Sequence, residues 1–234
     1  MQIFPPASMT SMIPRSFIAA STLVLTCALP VAAYARVGSP QVNTFSQAPF
    51  IDVSPSDPSF DAIEFLRTNN ILKGYLDGTF HPRGRISRGE FVTLMTNEFF
   101  LHGRENDCIV KSTLTSSTVV FFPDVQKSVG YATDVCIAKT RDLVHGYPDG
   151  YFRPGRPVSF VEGAKVIARV FALDVRKDRP ADSRWYHIYV QTLADFHAIP
   201  PTIDPSSLRS LSRPLTRAEV AEIIYRLTQA QRSQ

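Results

Sequence analysis

Two stretches of the chain repeat each other at a fixed offset of 72 positions. Asp52-Val53 recurs as Asp124-Val125, Gly74-Tyr75 as Gly146-Tyr147, Asp77-Gly78 as Asp149-Gly150, Phe80 as Phe152, Pro82 as Pro154, Ser87 as Ser159 and Glu90 as Glu162. A register kept over so many positions demands tandem units, each too small to bury its own apolar face and therefore packed on its neighbours. Fold and function have to be read unit by unit and at the junctions between units.

The first unit is expected over residues 49–100. Ala62, Ile63 and Leu66 mark an early helix, and Phe91, Leu94, Met95 and Phe99 mark a late one at helical spacing. Between them lies a Gly/Pro-rich segment, Ile71 to Ile86, so the unit reads as helix, structured loop, helix. The second unit, residues 121–172, repeats this with Val135 and Ala138, then Val166, Ile167, Val170 and Phe171. The polar, Ser/Thr-rich stretch at 101–120 reads as an inserted loop without an element of its own.

A third, degenerate unit over 173–229 shows only at its ends. Trp185, Tyr189, Val190 and Leu193 suit an early helix, and Val220, Ile223, Ile224 and Leu227 a late one, the latter 57 positions after the second copy. Its middle lacks the glycines and the Asp-Gly turn. Mainly helical hairpins packed about a common axis would close the core and leave a groove between each pair of neighbours.

The N-terminus reads as a processed segment. Arg15 precedes an apolar run from Phe17 to Ala33 that Pro30 interrupts, and Ala33-Tyr34-Ala35 offers a small-x-small cleavage pattern. Residues 1–35 are thus expected to be a signal peptide and 36–48 a linker; an uncleaved anchor helix is the competing reading. Cleavage would remove Arg15 alone among the charged residues, taking the net charge from +4 to +3. That is too weak an excess to argue for nucleic acid. No membrane insertion is expected once the signal is gone.

Export bears on the cysteines. With Cys27 removed, Cys108 and Cys136 are the remaining pair, and an oxidising compartment lets them join. At the strict offset Cys136 matches Glu64, an exposed helical position; a slip of one residue would bury it instead.

Ser87-Arg88-Gly89-Glu90, Ser159-Phe160-Val161-Glu162 and Thr216-Arg217-Ala218-Glu219 are each a Ser/Thr-x-x-Glu capping box, worth about 1 kcal/mol of helix stability apiece. Capping explains the hydroxyls and the glutamates. It does not explain Arg88 and Arg217, cations at the positive end of a helix dipole. A guanidinium beside free helix-start amides makes an anion-binding corner suited to a carboxylate or phosphate; a solvated arginine, or one bridging to Asp52, is the plainer alternative. Phe160 replaces the arginine in the second copy.

Gly74 and Gly146 suit a left-handed stop after the early helix, and Asp77-Gly78 and Asp149-Gly150 a tight turn. Tyr75 and Tyr147 are placed to line a groove where a sugar ring could rest. The oxygen spacing of a calcium loop is missing, so neither aspartate is a metal candidate, and no cofactor is expected.

The run Phe50-x-Asp52-Val53, Gly-Tyr-x-Asp-Gly-x-Phe-x-Pro and Ile/Val/Leu-Ser/Thr-Arg-x-Glu resembles the S-layer homology repeat across Phe50 to Leu227. The resemblance implies three repeats folded as a pseudo-threefold helical prism with short turn or strand segments in the loops. It also implies non-covalent anchoring of an exported protein to cell-wall polysaccharide, often one bearing pyruvylated sugars. By position it nominates Arg88 and Arg217 for the pyruvyl carboxylate, with Asp52, Asp124, Gly74, Gly146, Tyr75 and Tyr147 in support. Phe160 and the decayed third repeat imply fewer than three working grooves.

Catalysis finds no support in these residues. Glu90, Glu162 and Glu219 are accounted for by capping, and His81 and His145 do not occupy matching positions. The rival to wall anchoring is an envelope protein-protein adaptor on the same fold. With no further domain expected in the sequence, the chain reads as an anchor without an attached cargo.

Overall fold

The computed structural model describes residues 49–100, Cys108, 119–175 and 184–232, with side chains throughout except at 97–100 and 119–120. All of them belong to one compact unit, Phe45–Gln234. The expected signal peptide and linker, and most of the 101–120 stretch, lie outside the described residues.

The elements in chain order are α1 (Phe60–Thr68), α2 (Arg88–Phe100), β1 (Val119–Val120), β2 (Phe122–Gln126), α3 (Ala132–Thr140), α4 (Phe160–Val170), α5 (His187–Asp195), α6 (Leu208–Ser212) and α7 (Arg217–Arg232). The fold is mainly helical. Helices α1, α3 and α5 are the early helices of the repeats, and α2, α4 and α7 the late ones.

The late helices start where the capping boxes place them. The Glu90, Glu162 and Glu219 backbone N–H groups donate to the hydroxyls of Ser87, Ser159 and Thr216 at 3.3, 3.4 and 3.2 Å. In return, the backbone N–H of Ser87, Ser159 and Thr216 donates to the three carboxylates at 3.0, 3.0 and 2.9 Å. Both halves of each box are made.

The early helices end differently from the expectation. The left-handed residues after them are Asn70, Asp142 and His197, with φ of 57, 59 and 52°, and Gly74 and Gly146 are not among them. Asparagine and aspartate tolerate that conformation by bonding locally. Gly74 and Gly146 are required instead by close approach: an added Cβ would stand 2.2 Å from Phe50 Cε1 and 2.7 Å from Phe122 Cε1, respectively. Positive φ among the glycines falls at the turns, 81° at Gly78 and 83° at Gly150.

Two further expectations are corrected, and the third unit adds a short helix. Val119–Val120 forms a short antiparallel ribbon with β2, so the inserted stretch does contribute an element. Trp185 precedes α5 and is exposed, leaving Val190 and Leu193 to anchor that helix. The glycine-poor middle of the third unit holds α6, capped by Ser207 and seated on buried Leu211.

Helices pair between repeats more than within them. α1 packs on α7, α2 on α3 and α4 on α5, so each early helix leans on the late helix of another repeat and the series closes on itself. The loops before the late helices make the same cycle in backbone hydrogen bonds. Ile86 N donates to Leu215 O (3.1 Å), Leu215 N to Val158 O (2.8 Å) and Val158 N to Ile86 O (3.2 Å). All three side chains are buried at this centre, in one continuous apolar core.

Cys108 and Cys136 form a disulfide with Cα atoms 6.0 Å apart. Cys136 is fully buried, not exposed as the strict offset implied, because the inner face of α3 is covered and Cys108 packs against the same core.

Candidate ligand-binding site

Each turn motif is held by an aspartate from the start of its repeat. Asp52 accepts from the backbone N–H of Phe80 and His81 at 2.7 and 2.8 Å, and Asp124 from Phe152 and Arg153 at 2.9 and 2.7 Å. Both oxygens of each carboxylate are engaged, so these residues shape the loop. They do not reach the arginines.

The arginines cross into a different repeat. Arg217 leaves the start of α7 and lies in the first repeat, only 5% exposed. Its Nε donates to Phe80 O at 2.7 Å and its Nη2 to Lys73 O at 3.2 Å. The guanidinium carbon stands 4.8 Å from the centre of the Tyr75 ring and 4.9 Å from that of Phe80. Its Nη1 is 3.7 Å from Glu90 Oε1, and Tyr75 donates its hydroxyl to that same oxygen at 3.1 Å. Arg217, Tyr75 and Glu90 line a groove of about 600 Å³ that also takes in Gly74, Lys73 and Leu94.

Arg88 repeats the arrangement in the second repeat. It is 8% exposed, donates from Nη2 to His145 O at 2.9 Å and stands 5.3 Å from the Tyr147 ring and 4.8 Å from Phe152. Tyr147 donates to Glu162 Oε1 at 2.9 Å. Two things differ from the Arg217 junction. The Arg88 Nε is buried with no partner, and Arg156 reaches in to bond both Tyr147 Oη and Glu162. At the third junction the inserted side chain is Phe160, fully buried, and Glu219 is bound by Arg213 and by Thr202 Oγ1 (2.7 Å).

The helix-start amides are not free, contrary to the anion-corner reading. Arg88 N donates to Arg156 O, Gly89 N to Pro154 O, Arg217 N to Gly84 O and Ala218 N to Pro82 O, all at 2.8–3.0 Å. Neighbouring repeats satisfy the groups that a helix start ordinarily leaves open. Any anion must therefore be met by guanidinium and side-chain hydroxyl groups.

The electrostatics agree with that division. Burial would raise the Glu90 carboxyl, but hydrogen bonds from the Ser87 backbone and hydroxyl and from Tyr75, with the Arg217 charge, hold it below the usual glutamate range. Glu162 and Glu219 are likewise lowered, with burial opposed by Ser159, Tyr147 and Arg156 in the first case and by Arg213, Thr202 and Thr216 in the second. Burial lowers Arg88 and raises the phenols of Tyr75 and Tyr147. The carboxylates stay ionised and the phenols stay protonated as donors.

Arg156 and Arg213 were missed as groove residues by sequence reasoning, although their spacing contains the signal. Residue 84 plus the first offset of 72 is 156, and 156 plus the second offset of 57 is 213.

Residues 49–92 and 121–160 match the profile of the S-layer homology domain. Those two segments are S-layer homology repeats. Both matched segments contain the Asp and Gly-Tyr groups described above and the capping serine, the first also Glu90, while Glu162 and the third unit, with Arg217, lie beyond them. Cell surface glycoprotein 1 of Acetivibrio thermocellus is 31% identical over 126 residues, 53% of this chain and 5% of that protein. The Surface-layer 125 kDa protein of Lysinibacillus sphaericus is 27% identical over 167 residues, 70% of this chain and 12% of that one. The Cellulosome-anchoring protein of A. thermocellus is 28% identical over 131 residues, 52% of this chain and 28% of that one. The chain thus spans only a small part of each of these relatives. No described helix is long and apolar enough to cross a membrane.

Proposed function

We propose that the protein is an exported, non-enzymatic cell-envelope anchor that binds an acidic wall polysaccharide in grooves between repeats arranged as a pseudo-threefold prism. The observation that carries this reading is Arg217: a guanidinium buried across a repeat boundary, under a tyrosine, on the floor of an open groove. Such a fork recognises a carboxylate with two parallel donors, and the half-exposed Tyr75 ring offers an apolar face to a sugar. A pyruvate ketal on a wall sugar combines both features. Arg88 and Tyr147 supply the corresponding groups in the second repeat. The family match and the surface-layer and anchoring names of its relatives support the envelope setting.

An envelope protein partner is the second reading, and one observation favours it: Ile51, against the turn at Gly78, and Leu76, next to Tyr75 in the chain, are strongly exposed apolar side chains. Sedimentation of the mature protein with isolated sacculi decides between them. Saturable binding that falls when Arg88 and Arg217 are both changed to Ala, and that disappears from sacculi stripped of secondary polymers, is the expected result. Binding indifferent to both treatments would overturn the polysaccharide reading.

A further inference from the structure

The three junctions share one geometry and differ at one position. The carbonyls of Gly84, Arg156 and Arg213 accept from the first backbone N–H of α7, α2 and α4, at Arg217 (2.9 Å), Arg88 (2.9 Å) and Phe160 (3.2 Å). Residues 84, 156 and 213 are therefore structural equivalents, each directly beneath the side chain that crosses the repeat boundary.

At two junctions this position carries an arginine that turns back onto the capping glutamate. Arg156 reaches Glu162 Oε1 at 3.2 Å and lies 4.9 Å from the Tyr147 ring. Arg213 holds Glu219 Oε2 at 2.9 Å and Thr202 O at 3.0 Å. At the remaining junction it is Gly84, and the glutamate meets no such arginine. The exposure of the glutamate side chain follows: 40% for Glu90, 20% for Glu162 and 8% for Glu219. Tyr75 is 42% exposed, whereas the Tyr147 ring is overlain by Arg88, Arg153 and Arg156, with guanidinium carbons 5.3, 4.6 and 4.9 Å from its centre.

We propose that residue 84 is the specificity-determining position of this protein: Gly84 leaves the Arg217 groove open to an acidic saccharide, while Arg156 and Arg213 close the other two junctions with the protein's own guanidinium groups. This rests on the anchoring reading above and assigns the binding to one groove of the three. Arg156 is a removable plug, because it covers a ring and a buried arginine whose Nε has no partner. Arg213 is not, because the side chain beyond it is Phe160.

Sacculus sedimentation with four variants tests the assignment. Gly84→Arg supplies the plug to the open groove; Gly84 N donates to His81 O at 2.8 Å and Arg156 N to Arg153 O at 3.1 Å, so the same turn already carries an arginine in the second repeat. Gly84→Arg and Arg217→Ala should each weaken binding about tenfold or more, the loss expected when charge-assisted donors are removed or blocked. Arg156→Gly combined with Arg217→Ala should regain binding by opening the second groove, and adding Arg88→Ala should abolish the regain. The regain cannot come from misfolding. Wild-type binding left intact by Gly84→Arg, or no regain in the double variant, would overturn the assignment while the anchoring reading stood; a wild type that fails to sediment at all would remove both.

Discussion

The Tyr75 hydroxyl donates to Glu90 at 3.1 Å, while the other oxygen of that carboxylate closes the cap at Ser87. One glutamate therefore starts helix α2 and positions a groove side chain. Tyr75 contributes little to the core, being nearly half exposed, but it covers Arg217. Tyr75→Ala should reduce sacculus binding severalfold, in line with loss of a cation-π contact of about 0.5–2 kcal/mol and a sugar platform, while the melting temperature changes little. A large drop in melting temperature with undiminished binding would show that the ring is structural.

Acid should loosen the fold through the three capping glutamates. Each has a folded value below the ordinary one, so each adds stability that is complete above the unfolded value, about 4.3, and is lost as pH falls through the folded value. Melting temperature should hold steady from neutrality to about pH 5 and decline below about pH 4, where the unfolded chain binds more protons than the folded one. Glu90→Gln, Glu162→Gln and Glu219→Gln should each flatten the decline, because each removes a carboxylate whose hydrogen bonds hold it below its unfolded value. Melting that stays level down to about pH 3 contradicts this account.

What the sequence revealed was local, and what it concealed was between repeats. The Ser/Thr-x-x-Glu boxes and the Asp-Gly turns declare themselves because each is closed by residues a few positions apart. Nothing local tells that Arg217 is buried against Tyr75 and Phe80, some 140 residues away, or that its own amide is taken by Gly84. Gly74 illustrates a subtler failure. Its place after a helix suggested a left-handed stop, yet Asn70 performs that task and Gly74 admits the Phe50 ring. Residue identity was right for the position and the reason was different.

Gly74→Ala measures that reason. An added methyl would stand 2.2 Å from Phe50 Cε1, 2.6 Å from the Thr79 carbonyl oxygen and 2.8 Å from Phe50 Cδ1. The ring packs on buried Phe80 at 5.2 Å between centroids, so it has little room to retreat, and overpacking of this kind costs about 1–3 kcal/mol. Chemical denaturation should register that loss. Gly155→Ala, whose methyl would meet nothing within 4 Å, should be near neutral in the same assay, and equal effects at the two glycines would refute the close-approach argument.

The disulfide should act on stability and leave binding alone. Cys108 and Cys136 are separated by 28 positions, and the chain-entropy account of a loop that long gives about 3–4 kcal/mol. For a domain of this size that corresponds to a melting shift on the order of 10 °C. Reduction, or Cys108→Ser, should produce a downward shift of that order. Neither cysteine lines the groove of Arg217 and Tyr75, so sacculus binding at room temperature should persist in the reduced protein. If reduction abolished binding while the far-ultraviolet circular dichroism stayed unchanged, the bridge would have to be coupled to the groove through α2 and α3, which pack together, and its role would extend beyond constraining the unfolded chain.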